Sequence, residues 1–214
     1  MKTLLHIDTS PRKELSHSRK LSNLFREKWM QLFPDYKLTY RDLNTTFPPH
    51  VDLPWIDAAF TPEEDRTAQQ NLAIELSDHF VDELLEADTI LLSVPMYNFG
   101  MPSILKAYID NIVRVGRTFL FQPEKDQPYT SLLEGKMMYV IIATGDDGYQ
   151  QGGALESMNH LEPHIRTVFG FIGISDIEFI YTGNDEFGGQ KLEKSLKRAK
   201  AEIESVLNSQ RVEA

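Results

Sequence analysis

The chain contains no cysteine among its 214 residues. Disulfide bonds, thiolate nucleophiles, zinc–thiolate sites and iron–sulfur clusters are therefore excluded, because each of them requires a cysteine sulfur. Basic residues are scarce relative to acidic ones: 22 lysines and arginines stand against 32 aspartates and glutamates, a formal net charge of −10. Nucleic-acid backbones and anionic membrane surfaces attract basic patches, so we expect neither as a partner.

Long apolar runs are also lacking, and none approaches the ~18 uninterrupted apolar residues of a membrane-spanning helix. We therefore expect no membrane insertion. The first ten residues, MKTLLHIDTS, have one lysine and an apolar stretch that stops at Asp8. A secretory signal peptide needs a longer hydrophobic region, so the simplest expectation is a soluble, cytoplasmic protein.

Short apolar runs alternate with longer amphipathic segments along the chain. Apolar periodicity predicts five strands, at residues 4–8, 37–41, 89–94, 137–144 and 177–181. It predicts five helices, at residues 18–33, 61–86, 103–115, 154–171 and 189–207. The second helix is placed to begin at Thr61-Pro-Glu-Glu, which has a capping hydroxyl and a proline in the first turn. Residues 43–62 are expected to be irregular, and residues 116–122 to form a short hairpin arm.

Strands without strong polar alternation, separated by helices, predict an α/β fold in which a parallel sheet carries helices on both faces. Right-handed crossovers and five strands fit the flavodoxin-like, doubly wound order 2-1-3-4-5. No repeat or composition shift marks a boundary, so residues 1–214 are predicted to form a single domain. In this order ligands bind where the winding reverses, between the first and third strands. The candidate loops are residues 9–17, 95–102 and 143–153.

The first loop leaves a strand and enters a helix. Ser10, Ser16 and Ser18 offer hydroxyl groups at a place where free backbone N–H groups and the helix dipole favour an anion. Neither G-x-x-x-x-G-K-[ST] nor G-x-G-x-x-G occurs there, so an ATPase or dinucleotide site is not indicated. A short phosphate monoester fits this loop. Alternatively, Ser16 or Ser18 serves only to cap the helix.

The second loop carries large apolar side chains on a connection that lies at the edge of the predicted sheet. Its sequence is VPMYNFGMPS, from Val94 to Ser103. The amide of Asn98, flanked by Tyr97 and Phe99, has the composition of a pocket that covers a flat heterocycle and hydrogen-bonds its edge. Alternatively, the loop is a hydrophobic turn packed under a neighbouring helix.

The third loop is rich in glycine, with four glycines between positions 145 and 153. Glycine permits tight turns and close approach of the backbone to a ligand. Asp146 and Asp147 are candidate ligand contacts, although turn formation alone also explains aspartate at such positions.

Three blocks together resemble the family of FMN-dependent NADH:quinone oxidoreductases and azoreductases. They are LLHIDTSPR…SHS near the start, PMYNFG-x-PS-x-LK-x-Y-x-D-x(5)-G-x-TF in the middle, and FGFIGISDIEFIY near position 175. The resemblance extends from Met1 to about Leu207, and the middle block is its most specific part.

The resemblance implies a flavodoxin-like homodimer that binds FMN, with the flavin face open at the subunit interface. It implies NADH or NADPH as co-substrate and hydride transfer through flavin N5, in ping-pong fashion, to a quinone or an aromatic azo compound. It assigns the FMN phosphate to Ser10, Ser16, His17 and Ser18. It assigns the ribityl chain and the isoalloxazine edge to Pro95, Met96, Tyr97, Asn98 and Phe99. It places the loop with Thr144, Gly145 and Asp146 near the pyrimidine edge of the flavin. Phe119 and Phe121 are further candidates for the pocket.

One segment departs from the family pattern. The family loop after the fourth strand reads S-R-G-G, whereas this chain has Ala143-Thr-Gly-Asp146. We hypothesise that Asp146 or Asp147 makes the flavin harder to reduce, because a negative charge opposes the gain of electrons, and that the departure weakens FMN binding.

The proton donor and the physiological acceptor stay open. Tyr149, His160 and His164 are candidate donors, and none of them is assigned. Two other functions are compatible with the sequence: an FMN-binding electron carrier without a dedicated substrate, and a flavoprotein that regulates a partner. A hydrolase is not indicated, because no G-x-S-x-G motif occurs.

Overall fold

The structure is a computed structural model that describes residues 1–213, with side chains described for residues 1–210. Its strands are β1 (Thr3–Asp8), β2 (Lys37–Asp42), β3 (Thr89–Pro95), β4 (Phe119–Phe121), β5 (Tyr129–Ser131), β6 (Met137–Ala143) and β7 (Asp176–Thr182). Its helices are α1 (His17–Leu32), α2 (Leu53–Ala59), α3 (Ala68–Glu86), α4 (Ser103–Ile112), α5 (Leu161–Phe171) and α6 (Gly189–Glu213). None of the helices in the described chain combines the length and apolar character needed to span a bilayer.

The main sheet has five parallel strands in the order β2-β1-β3-β6-β7. Counting only these strands, this is the predicted order 2-1-3-4-5, and the predicted flavodoxin-like α/β fold is confirmed. The hairpin predicted at residues 116–122 is also present, because β4 pairs with β5 in antiparallel fashion. The strand registers bring Asp8 beside Ser93, and Pro95 beside Ala143. The carboxyl ends of β1, β3 and β6 therefore lie next to one another.

Neighbouring residues of the central strands point to opposite faces of the sheet, and both faces are covered by helices. On one face Leu5 and Leu92 belong to a buried cluster with side chains of α3, α4 and α5. On the other face Leu4 and Leu91 pack with side chains of α1 and α6. Burying a side chain of this size stabilises the folded chain by about 1.5–3 kcal/mol. The helices on the two faces thus fix the strands whose ends form the loops.

Two predictions about residues 43–86 are wrong in part. The irregular segment 43–62 contains helix α2, whose N-cap residue Asp52 accepts a hydrogen bond from the Trp55 N–H at 2.9 Å. The following helix, α3, begins at Ala68 rather than at Thr61. Thr67 and Gln70 form a reciprocal capping box there, with hydrogen bonds of 3.0 and 3.2 Å. A box satisfies two free N–H groups, whereas a hydroxyl alone satisfies one, so Thr67 prevails.

The helix predicted at residues 154–171 also begins later than expected, at Leu161. The side chain of Asn159 accepts hydrogen bonds from the N–H groups of Leu161 and Glu162 at 3.0 and 3.1 Å. Residues 156–158 form only a short 3₁₀ turn. At the other helix ends the differences are small: α4 stops at Ile112, and α6 continues to Glu213.

Two glycines near the end of α5 should respond to substitution by alanine in opposite ways. Gly173 has a φ of +109°, and a Cβ there would lie 3.1 Å from the backbone N of Glu134. Gly170 is helical and has open space around the Cβ position. We expect Gly173→Ala to lower the free energy of unfolding by at least about 1 kcal/mol, and Gly170→Ala to raise it by roughly 0.5 kcal/mol. Urea denaturation of both variants measures this, and equal effects would contradict the described turn.

Candidate functional site

Three loops converge at the carboxyl ends of the central strands, as the sequence predicts. Thr9, which follows β1, donates from its backbone N–H and its hydroxyl to the carbonyl of Ser93, at 3.2 and 2.9 Å. The N–H of Met96 donates to the Ala143 carbonyl at 2.8 Å. The N–H of Thr144 donates to the Thr182 carbonyl at 2.9 Å. Each loop is thus held to its neighbour at the residue where it leaves the sheet.

The first loop closes on the N-terminus of α1. Ser16 is the N-cap residue, and its hydroxyl accepts a hydrogen bond from the Arg19 N–H at 3.3 Å. The hydroxyls of Ser16 and Ser18 are 3.1 Å apart, and that of Ser10 accepts from the Arg12 N–H at 3.3 Å. Capping therefore does explain Ser16. It leaves the N–H groups of His17 and Ser18, at the first two helical positions, without an intrahelical acceptor. An anion fits such donors at a helix N-terminus.

A fourth segment, residues 183–188 after β7, lies between the first and third loops. Its Asp185 carboxylate accepts a hydrogen bond from the Arg12 guanidinium and is 3.1 Å from Nε2 of His17. The N–H of Asp185 donates to the carbonyl of Thr144 at 3.3 Å. Nδ1 of His17 is buried without a hydrogen-bond partner among the described residues. The Asp185 carboxylate thus lies against two side chains of the first loop, Arg12 and His17.

The carboxylate of Asp8 lies beneath the first loop and is 1% exposed. It accepts hydrogen bonds from Ser93 at 2.5 Å, Tyr40 at 2.8 Å and Ser22 at 3.2 Å, and its Oδ1 is 3.3 Å from Nε2 of His6. Burial alone would raise the pKa of Asp8. The hydrogen bonds and the charge of these neighbours outweigh burial and lower the pKa to about 2. The group is therefore a charged, fully hydrogen-bonded anchor at the end of β1.

The second loop is a two-residue turn that presents its side chains to solvent. Tyr97 and Gly100 exchange two backbone hydrogen bonds of 3.0 Å, and Asn98 and Phe99 have φ angles of +47° and +68°. Both central residues are left-handed, as in a type I′ turn. Asn tolerates this conformation, whereas a phenylalanine in it is strained by on the order of 1 kcal/mol. Backbone strain of this kind is typical of functional positions.

The side chains of the second loop divide between the core and the surface. Met96 is half-buried and packs against the hydrophobic core, as the alternative of a packed turn requires. Tyr97 and Phe99 are about two-fifths exposed, and Asn98 is exposed with no partner for its side-chain amide among the described residues. The packed-turn interpretation therefore holds for Met96 alone. The other three side chains are available to a ligand.

The third loop is a series of tight turns in which the two aspartates differ. The Asp146 carboxylate accepts from the Asp147 N–H at 2.8 Å, and the Asp147 carboxylate from the Gly148 N–H at 3.0 Å. Asp147 also pairs with both terminal nitrogens of Arg198, at 2.8 and 3.0 Å, which lowers the pKa of Asp147. Among the described side chains, no basic group pairs with Asp146. Both residues build turns, but only Asp146 presents an uncompensated charge.

Thr144 and Gly145 are held in place by the segment that carries Asp185. Thr144 is buried, and its hydroxyl donates to the carbonyl of Asp146 at 2.5 Å. Gly145 accepts at its carbonyl from the Glu186 N–H at 3.1 Å, and a Cβ on Gly145 would overlap the Glu186 side chain. The backbone of Gly145 and the side chain of Glu186 are thus in close contact where the two segments touch.

The candidate proton donors differ in their burial and in their hydrogen bonds to the second loop. The backbone N–H of His160 donates to the Phe99 carbonyl at 2.9 Å, and the His160 side chain is exposed nearby. Tyr149 is half-buried and packs against the core, and His164 is half-buried on α5. Of the three, only His160 is connected to the second loop by a direct hydrogen bond among the described residues, and that bond is made by its backbone.

Phe119 and Phe121 lie away from the three loops. Their rings pack with Tyr129 and, for Phe119, with Phe171. They line an apolar cleft of about 270 Å³ whose walls include Trp55 and Phe60, and no residue of the three loops is among its described walls. Within one copy of the chain, these aromatic residues form a separate surface.

Sequence reasoning missed three groups at this edge of the sheet: Asp185, Asp8 and Arg19. The segment Gly183-Asn-Asp-Glu-Phe-Gly-Gly189 follows a strand and has the composition of a loop, which was a usable signal for Asp185. The roles of Asp8 and Arg19 depend on contacts with residues far away in the sequence, so no local pattern indicates them.

Comparisons with known proteins agree with this architecture. The sequence model of a family described as having a flavodoxin-like fold matches residues 2–207. The chain is 44% identical over 207 residues to an FMN-dependent NADH:quinone oxidoreductase of Nostoc punctiforme, covering 97% of this chain and 98% of that protein. It is 39% identical over 215 residues to an FMN-dependent NADH:quinone oxidoreductase 2 of Colwellia psychrerythraea, covering 97% and 98%.

A solved structure gives a likeness of fold alone. The FMN-dependent NADH-azoreductase from Bacillus anthracis, determined in complex with FMN, superposes with a TM-score of 0.86 at 22% identity. The superposition covers 99% of this chain and all of the azoreductase chain, 100%. The order of elements described above is thus shared over the whole length.

The Asp8 anchor predicts how stability depends on pH. Its pKa in the folded chain, about 2, is below the value of 3.8 for an unperturbed aspartate. Asp8 therefore stabilises the fold fully above pH ~4, and this stabilisation is lost as the pH falls towards 2. We expect wild type to lose about 2 kcal/mol more than Asp8→Asn between pH 5 and 2 in urea denaturation. Asp35→Asn, at an exposed acid, is the control; parallel curves for wild type and Asp8→Asn would contradict the anchor.

Proposed function

The chain belongs to the family of FMN-dependent NADH:quinone oxidoreductases, and we propose that it reduces quinones and aromatic azo compounds with electrons from NADH or NADPH through bound FMN. The observation that carries this proposal is the convergence of three chemically different loops at one edge of the sheet. One loop suits an anion, one presents exposed rings beside a free amide, and one is a glycine-rich wall.

The first loop fits the phosphate of FMN. Ser10, Ser16, His17 and Ser18 lie together, and two N–H groups at the start of α1 lack intrahelical acceptors. Nδ1 of His17 is a buried polar atom that has no partner among the described groups. A phosphate monoester supplies acceptors for the N–H and hydroxyl groups of this loop, and it does not need a glycine-rich cradle.

The second and third loops fit the rest of the cofactor. Tyr97 and Phe99 offer exposed apolar surface, and Asn98 between them offers an unpaired amide, while Pro95 and Met96 join the turn to β3. Across the strand ends, Thr144, Gly145 and Asp146 form the opposite wall. An amphipathic heterocycle with a polar edge satisfies this combination of apolar surface and single polar groups.

Held by these three loops, FMN would supply the two-electron chemistry, which we propose to be hydride transfer through N5 in ping-pong order between the nicotinamide and the acceptor. The chain's own residues bind, orient and desolvate. The tight turn at Asn98 and Phe99 fixes where the ring of Phe99 stands. The buried Thr144 hydroxyl fixes the backbone of the facing loop. His160, whose backbone N–H donates to the Phe99 carbonyl and whose side chain is exposed, is a candidate proton donor.

We also propose that the chain is a single cytoplasmic domain that works as a homodimer. The exposed apolar residues outside the three loops support an interface between copies: Phe47, Leu53 and Phe60 are each about two-thirds exposed or more. The aromatic hairpin with Phe119 and Phe121 adds further apolar surface. A second copy that covers this surface would remove these apolar side chains from water.

Turnover separates this proposal from an FMN-binding electron carrier. Purified protein reconstituted with FMN should oxidise NADH or NADPH rapidly in the presence of a benzoquinone, with parallel double-reciprocal plots over several quinone concentrations. Slow bleaching of the flavin without steady turnover would support the carrier instead. Protein that does not retain FMN after reconstitution would overturn the proposal.

A matched pair of asparagines connects turnover to the site. Asn98→Ala removes the exposed amide of the second loop, and we expect FMN affinity to fall about tenfold, the equivalent of one good hydrogen bond. Asn208→Ala removes an exposed amide from α6 and should leave the affinity unchanged.

The charge of Asp146 predicts the redox potential of the bound flavin. Asp146→Asn removes the charge but keeps the oxygen that accepts from the Asp147 N–H. We expect the FMN midpoint potential to rise by about 20 mV, the two-electron equivalent of ~1 kcal/mol. The control is Asp176→Asn, at the amino end of β7. An unchanged or lower potential in Asp146→Asn, measured by dye-linked titration, would refute the hypothesis.

A further inference from the structure

Arg19 connects the two ends of the first loop. It is the third residue of α1 and is 7% exposed. Its backbone N–H donates to the hydroxyl of Ser16 at 3.3 Å, and its Nε donates to the carbonyl of Ser10 at 2.8 Å. One residue therefore connects Ser10, near the start of the loop, with Ser16, near its end.

The guanidinium of Arg19 is itself fixed. Its terminal nitrogens form a bidentate pair with the carboxylate of Asp42, at 2.8 and 2.6 Å, and Nη1 is 3.6 Å from Oδ2 of Asp8. Asp42 ends β2 and also accepts from the N–H and side-chain amide of Asn44, at 2.9 and 3.3 Å. A planar guanidinium with both carboxylates in place has one orientation, so Nε points at Ser10.

The Ser10 carbonyl needs such a partner because of the residue that follows it. Pro11 has no N–H, so the peptide between Ser10 and Pro11 carries only an acceptor. An acceptor that faced the loop interior would repel an anion bound there. The hydrogen bond to Arg19 directs this carbonyl towards the buried guanidinium and compensates its negative end.

From these contacts we propose that Arg19, locked by Asp42, is a positioning residue that makes the first loop selective for a flavin carrying a phosphate. This inference rests on the proposed function, because it assumes that the loop holds the FMN phosphate. Arg19 does not contact the phosphate. It keeps the Ser10 carbonyl out of the way and holds the Ser16 cap, so that the loop's N–H and hydroxyl groups converge on the anion.

The competing explanation is that the Arg19–Asp42 pair only fastens α1 to β2. The chain offers a matched control in Arg41, the residue before Asp42 on β2. Arg41 forms a bidentate pair with Glu83 of α3, and both partners are partly buried. Disrupting that pair has the structural consequences of losing a bidentate ion pair, and the Arg41 side chain makes no hydrogen bond to the first loop among the described residues.

Binding of two flavins that differ only in the phosphate tests the proposal. The full chain is stripped of flavin, and the Kd values of FMN and riboflavin are measured by fluorescence quenching for wild type, Arg19→Lys, Asp42→Asn and Arg41→Lys. We expect the ratio of riboflavin Kd to FMN Kd to fall about 10-fold or more in Arg19→Lys and Asp42→Asn. Arg41→Lys should keep the wild-type ratio. The ³¹P resonance of bound FMN should move in the first two variants alone.

Each other outcome contradicts a defined part of the account. Equal weakening of both flavins in Arg19→Lys, or the same loss of ratio in Arg41→Lys, would show a purely structural pair and overturn the inference. Wild type that binds both flavins equally would also overturn it, while leaving a flavin site in place. Wild type that binds neither flavin would overturn the proposed function itself. Thermal unfolding identifies variants that fail to fold, and Asp42→Asn then carries the test if Arg19→Lys is unfolded.

Discussion

A charged carboxylate buried at the end of the first strand constrains everything around it. Asp8 is 1% exposed, and a buried charge is tolerated only when it is paired and hydrogen-bonded. Its partners are on three other elements: Tyr40 on β2, Ser22 on α1 and Ser93 on β3. Satisfying one carboxylate therefore fixes the edge strand, the first helix and the central strand relative to one another. The first and second loops begin at the residues just beyond this point.

The site built on that anchor combines rigid and strained parts. The first loop is held from below by buried polar groups, whereas the second places Phe99 in a left-handed conformation that a phenylalanine disfavours. The third loop packs closely against the segment carrying Asp185 and Glu186, where a Cβ on Gly183 would lie 2.7 Å from the carbonyl oxygen of Asp146. Such strain is stored where the surrounding structure determines the backbone, and here the sheet and its two helical layers provide that structure. This backbone leaves the rings of Tyr97 and Phe99 and the amide of Asn98 exposed.

Much of the fold could be predicted because its signals are local. The buried strands and the hairpin arm each follow from short patterns, and the order of the sheet follows from connection rules. The starts of α3 and α5 depend on side-chain hydrogen bonds that the apolar period does not indicate. Thr61 and Thr67 both resemble caps, and only the reciprocal bond with Gln70 distinguishes the second. The side chain of Asn159 caps the start of α5, and the apolar period does not predict this cap.

The candidate site was predictable as a set of loops but not as a network. Arg12 and Asp185 are separated by 173 residues, and Arg19 and Asp42 by 23, so their pairing becomes visible only when the sheet brings them together. The difference between Asp146 and Asp147 also depends on tertiary structure. Arg198, on the last helix, pairs with one and not with the other.

The central claim is that these three loops form one binding site for FMN. Amide chemical-shift mapping in ¹⁵N-labelled protein during FMN titration measures this most directly. The account predicts that the largest shifts fall on His17, Ser18, Asn98, Phe99 and Gly145, and that inorganic phosphate alone shifts only the first two. Shifts concentrated instead around the cleft of Trp55, Phe60 and Phe121, with the three loops unchanged, would contradict it.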